Sequence, residues 1–120
     1  MRLHVLLILF CSILTTSAIG QDTIVVDWSA YFTKIKSADS LYQKGEFLQS
    51  AKAYSTAFSQ NNQGFSAGHR YNAACAWAMC EQADSAVLNL KKEVAFGYTN
   101  YKKLISEKAF SILHKKKRLG

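Results

Sequence analysis

Residues 38–57 read Ala38-Asp39-Ser40-Leu41-Tyr42-Gln43-Lys44-Gly45-Glu46-Phe47-Leu48-Gln49-Ser50-Ala51-Lys52-Ala53-Tyr54-Ser55-Thr56-Ala57, and their spacing decides the fold. The stretch is two helices joined at Gly45. Upstream, the apolar residues Trp28, Tyr31, Phe32, Ile35, Ala38, Leu41 and Tyr42 recur at steps of one, three or four, which defines one face of a helix. Asp27 stands where an N-cap carboxylate accepts an unpaired backbone N–H. Gly45 ends the pattern as a left-handed C-terminal residue does. Beyond it Phe47, Ala51, Tyr54 and Phe58 share one side of a second helix, with Ser50, Ala53 and Ala57 as a stripe of small residues beside them. Leu41, Ser50, Tyr54 and Ala57 find counterparts in Trp77, Ala86, Leu90 and Glu93 at a constant offset of 36 residues. Bulky matches bulky and small matches small, except where Glu93 replaces an alanine. The helical hairpin therefore occurs twice.

The rest of the chain extends this pattern. Gln60 to Gly64 is a loop signal. Tyr71 to Cys80 is apolar almost all the way round, as a helix buried on several sides is, and its alanines let neighbouring helices approach closely. Ala83, Ala86, Val87, Leu90 and Val94 form a fourth helix that stops at Gly97. Two short pieces follow, one with Tyr98, Tyr101, Leu104 and Ile105, the other with Ala109, Phe110, Ile112 and Leu113, and Ser106 is the expected cap between them. Thr23 to Val26 is β-prone but too isolated to found a sheet. The expected fold class is all-α. Its first repeat covers about residues 27–60, its second about 67–97, and a closing segment about 98–114 shields the open side of the fourth helix. Trp77 and Tyr54 are the expected seam between the repeats.

The first copy resembles the tetratricopeptide repeat, whose unit has 34 residues. Ala38, Leu41, Gly45, Phe47, Ser50, Tyr54 and Ala57 occupy that family's small and large positions. The second copy departs from it, with Glu81 at the turn glycine and Ala83 at an aromatic position. Tyr71-Asn72-Ala73-Ala74-Cys75, Asp84-Ser85-Ala86, Gly97-Tyr98-Thr99-Asn100-Tyr101 and the group Phe110, Leu113, His114 and Arg118 are similar to the bacterial end-of-group tetratricopeptide domain. The likeness covers roughly residues 30–119, and the chain reads as a shortened member ending in Leu119 and Gly120. It implies an α-solenoid in which the first helix of each hairpin lines a concave groove. By that resemblance Phe32, Ile35, Asp39, Tyr42 and Gln43 from one copy, and Tyr71, Asn72 and Met79 from the other, face the groove. Peptide-carboxylate binders of the family carry several basic groove residues; here Asn72 alone corresponds.

Charge and composition narrow the function. The 120 residues are 49% hydrophobic and 19% charged, with no proline and six glycines, a globular and helix-permissive composition. Residues 21–97 hold seven basic and seven acidic side chains, whereas residues 98–120 hold seven basic ones and only Glu107. Without Arg2 the net charge is +6, all of it in the last 23 residues, not spread as a nucleic-acid-binding surface would be. Lys115, Lys116, Lys117 and Arg118 are candidates for contact with an anionic membrane or envelope surface. His69 and Cys75 lie about 240° apart round a helix, and His69 and Cys80 about 16 Å apart along it, so neither makes a nucleophilic pair. Cys75 and Cys80 are about 140° apart, which forbids a disulfide between them and gives no metal-ligand cluster. Two readings follow. The leading one is a non-catalytic protein or peptide interaction module that needs no cofactor or metal. The runner-up is a structural protein held to an anionic surface by its basic end.

Residues 1–20 carry the layout of a secretory signal peptide: Arg2, twelve apolar-run residues from Leu3 to Leu14, then a small polar exit. Twelve residues make about 18 Å of helix, short of a ~30 Å hydrocarbon core. Cleavage is expected after Gly20, with Ala18 the runner-up site, leaving residues 21–26 as a short lead and a secreted or periplasmic domain from residue 27. N-terminal sequencing of the exported chain tests this, and the expected first residue is Gln21.

Overall fold

The computed structural model describes residues 20, 27–60 and 68–119. Apart from Gly20, the expected leader falls outside the described residues, as do the lead at 21–26 and the loop at 61–67. Among the described residues six helices follow one another: α1 (Trp28–Gln43), α2 (Phe47–Gln60), α3 (His69–Met79), α4 (Ala83–Ala95), α5 (Tyr101–Ser106) and, after a 3-10 turn at Lys108–Phe110, α6 (Ser111–Leu119). No strand occurs among the described residues, so the fold class is all-α. α1 packs on α2, α3 on α4, and α2 on α3. Asp27 caps α1 as its position predicts, its Oδ1 accepting the Ala30 N–H at 3.1 Å.

The two hairpin turns are copies of each other bond for bond. After α1, the N–H groups of Lys44, Gly45 and Glu46 donate to the carbonyls of Ser40, Tyr42 and Leu41 at 3.2, 3.0 and 3.0 Å. After α3, those of Cys80, Glu81 and Gln82 donate to Ala76, Ala78 and Trp77 at 3.3, 3.0 and 2.9 Å. Every partner is displaced by the same 36 residues. The pairing is the Schellman arrangement, which satisfies carbonyls that a helix end would otherwise leave open and requires a left-handed residue at its centre. Gly45 fills that position at φ +80°, and Glu81 fills it at φ +63°. A third turn after α4 repeats the bonds around Gly97, with Tyr98 N–H on Glu93 and Gly97 N–H on Val94.

Packing divides into two clusters that meet on α3. The first joins Tyr31, Ile35 and Ala38 of α1 to Ala51, Tyr54 and Ala57 of α2 and to Ala73 and Ala76 of α3. Fully buried Ser50 draws α2 onto α1 by donating to the Ala38 carbonyl at 2.8 Å. The second joins Tyr71, Ala74, Cys75 and Ala78 of α3 to Ala86 of α4 and to Ala109 and Phe110 of the 3-10 turn. Trp77 is only partly buried, yet it packs against both clusters. Tyr54 belongs to the first.

The closing segment differs from the sequence expectation in three ways. It seats on α3, which both the 3-10 turn and α6 contact, and not principally over α4. Val87, Leu88 and Val94 of α4 consequently stay exposed. Its last helix runs to Leu119, beyond the expected end near residue 114. Ser106 is not the cap between the two pieces but the last residue of α5, its hydroxyl donating to the Lys103 carbonyl; Glu107 stands at the head of the 3-10 turn, and Asn100 caps the start of α5, accepting the Lys103 N–H at 3.1 Å.

The turns make a stability prediction. A left-handed conformation costs a residue with a side chain about 1–2 kcal/mol, part of which is offset by the extra chain entropy glycine loses on folding. Glu81→Gly is expected to raise stability by about 1 kcal/mol and Gly45→Ala to lower it by a similar amount. Urea unfolding midpoints of the two variants check both signs.

Candidate functional site

Helical spacing sets Asp39, Tyr42 and Gln43 on one side of α1, and Tyr71 and Cys75 one turn apart on α3 with Asn72 beside them. The hairpin stack brings these two sets together. With Tyr54 of α2, Lys103 of α5 and Glu107 just after it, they line a cleft of about 380 Å³. Gln43, Asn72 and Lys103 are exposed at its rim; Tyr54, Tyr71 and Cys75 are buried at its base.

Two tyrosine–carboxylate pairs organise the cleft. The Tyr54 hydroxyl donates to Asp39, and the Tyr71 hydroxyl donates to Glu107 Oε2 at 2.9 Å. Burial raises both phenols well above their usual range, and the hydrogen bond to a carboxylate raises them further. Each hydroxyl has a single proton, already committed, so the base of the cleft presents acceptor oxygens and ring faces. The Lys103 Nζ lies 4.7 Å from the centre of the Tyr71 ring, within cation–π range. Tyr71 also stacks on Tyr98 at 5.5 Å and meets Phe110 edge-on at 5.6 Å, so the ring that floors the cleft anchors the closing segment. Burial pushes the Cys75 thiol up to about 12, helped by the nearby Glu107 charge and opposed by Lys103. A thiol so protonated is a poor nucleophile. Both Cys75 and Cys80 are free. Among the described residues no three His, Cys, Asp or Glu converge as a metal would need.

Of the eight residues assigned to the groove by resemblance, Asp39, Tyr42, Gln43, Tyr71 and Asn72 line this cleft. Phe32 and Ile35 line a second depression along α1, about 420 Å³, which shares Asp39 with the cleft. Ile35 is only 4% exposed and belongs to the first core cluster. Exposed Phe32 packs edge-on to Tyr31 and His69. Met79 does not reach the cleft; it packs against the second cluster. Tyr54, Cys75, Lys103 and Glu107 are additions the sequence reading did not make. The hydroxyl of Tyr54 could have been traced from its position one turn from the Ser50 stripe, but no spacing announces Lys103 or Glu107. At the basic end Lys115 is exposed, while the side chains of Lys116, Lys117 and Arg118 lie outside the described residues.

A polar network beside the first cluster accounts for the glutamate that replaces Ala57 in the second copy. Glu93, at the position of Ala57, is 5% exposed, and its charge acts on Arg70. The Arg70 guanidinium covers the Phe58 ring at 3.9 Å and donates to Asn89 Oδ1 at 3.2 Å. His69 pairs its Nδ1 with the Tyr31 hydroxyl at 2.8 Å. Burial holds His69 below the ordinary 6.5, although Asp39 and Glu93 pull in the opposite direction.

That depression sets a pH dependence. A group whose folded pKa is lowered takes up its proton first in the unfolded chain, so stability rises with pH across the interval between the two values. The His69 contribution is complete above the unfolded value of about 6.5 and is lost as pH falls from there through the lowered folded value. Melting temperature is expected to drop between about pH 7 and about pH 5, and less so in His69→Gln; parallel melting curves would show that His69 is not responsible. Comparison with known proteins finds no matching family model, no matching curated protein and no matching solved structure.

Proposed function

We propose that this chain is an exported helical-repeat module of the tetratricopeptide kind, which holds an extended segment of a partner protein in the cleft between α1 and α3 and has no catalytic role of its own. The carrying observation is the convergence of Asp39, Tyr42, Gln43, Tyr71 and Asn72 on one cleft. The second support is the bond-for-bond recurrence of the hairpin turns at 36 residues, the signature of a repeat whose units hide one another's apolar faces.

The chemistry of the cleft suits a peptide. Tyrosine rings at the base offer flat apolar area with little rotamer freedom to lose. The exposed amides of Gln43 and Asn72 each supply both a donor and an acceptor, which is what an extended backbone demands. The thiol and both buried phenols are held in their protonated forms, so the cleft offers recognition groups in place of nucleophiles.

Phage selection of peptides on the protein tests the reading. Gln43 is exposed at the rim, so Gln43→Arg fills it without disturbing the core or the hydrogen bond between Asn72 and Tyr54. Selected peptides are expected to lose about tenfold or more in affinity for this variant at unchanged melting temperature. Equal affinity for both proteins would remove the cleft as the binding site.

A further inference from the structure

We propose that the closing segment is a second interaction surface, which docks on an anionic phospholipid bilayer by setting Ile105 and Tyr101 into the headgroup layer together with the exposed lysines of the same segment. Ile105 is 75% exposed, more than any other large hydrophobic residue described, and Tyr101 is 54% exposed. They stand four residues apart on α5 and so share a face. The inward side of the same helix is taken by Leu104, which packs against the second core cluster. Folding thus uses Leu104 and leaves Tyr101 and Ile105 projecting, with Phe96 at the end of α4 also 54% exposed.

Charge identifies the occupant. Residues 98–120 carry seven Lys and Arg against Glu107 alone, and Glu107 accepts from Tyr71 at the cleft. Lys102, Lys108 and Lys115 are exposed, and α6 continues through Lys116, Lys117 and Arg118. The rest of the chain from residue 21 is balanced. Protein interfaces exclude lysine from their centres, whereas a tyrosine and an aliphatic side chain flanked by lysines match the depth profile of a headgroup region, apolar below and anionic above. α5 packs on the 3-10 turn, and the turn packs on α6 and α3, so the projecting pair and the lysine-rich helix belong to one packed unit. No described helix is long and apolar enough to cross a membrane, and the docking proposed is peripheral.

Sedimentation with phosphatidylcholine vesicles, with and without roughly three in ten phosphatidylglycerol, tests this on the full chain. All variants share the same N-terminal residues, so the apolar leader contributes equally to each. Wild type is expected to bind the anionic vesicles at least about tenfold more tightly than the neutral ones at about 50 mM salt, with most of that preference gone at about 500 mM. Tyr101→Ser with Ile105→Asp is expected to weaken binding to anionic vesicles about tenfold at unchanged melting temperature. Lys102→Gln with Lys108→Gln is expected to shrink the anionic preference while keeping residual binding. Equal affinity for neutral and anionic vesicles overturns the proposal. So does an unaltered affinity in the Tyr101/Ile105 variant, because attachment would then be by charge alone.

Discussion

Everything in this molecule hangs on the burial of α3 between two sets of neighbours. Its turns present Ala73 and Ala76 to the first hairpin, and Tyr71, Ala74, Cys75 and Ala78 to α4 and the closing segment. Side chains this small contribute little apolar area each, but they let helix backbones come near enough for dispersion contacts to accumulate on every side. Ala73, Ala74, Ala76 and Ala78 are all fully buried, so a larger side chain at any of them would overpack the stack. It also fixes where the larger residues go: Trp77 must lie along the boundary of the two clusters, and Tyr71 must leave the stack at its edge, where its hydroxyl reaches Glu107.

The periodic part of the fold was legible in the sequence. Apolar steps of three and four gave α1 to α4, Asp27 and Gly45 marked their caps, and the offset between Leu41 and Trp77 announced the duplicated hairpin. Part of the cleft was legible through the tetratricopeptide resemblance alone, which assigned Asp39, Tyr42 and Gln43 to a groove; periodicity only sets them on one side of α1. The failures share a different cause. Ile35 and Met79 were assigned to the groove by the same resemblance but turn into the packing, because residues at the edge of a helical face can serve either side. Lys103 and Glu107 enter the cleft only through the docking of α5 onto the 3-10 turn, a tertiary event with no periodic trace. Glu93 was visible as the exception to the repeat, yet its meaning needed Arg70, which comes from another helix.

Glu81 shows how strongly the repeat constrains its own backbone. Where the first hairpin has glycine, the second holds a glutamate in the left-handed region and makes the same hydrogen bonds around it. Packing of α3 against α4 overrides the local preference, as tertiary contacts override propensity elsewhere. The closing segment shows the opposite case. It lies on α3 and leaves Val87, Leu88 and Val94 of α4 in solvent, so apolar spacing on a terminal helix did not guarantee burial.

Tyr71 touches both halves of the molecule at once: its ring lines the cleft, and the same side chain stacks on Tyr98, meets Phe110 edge-on and donates to Glu107. Such shared contacts make the two regions thermodynamically reciprocal. If the cleft holds a guest as proposed, a guest that steadied this ring would also firm the attachment of the C-terminal helices, and loosening those helices would weaken its binding by the same free energy.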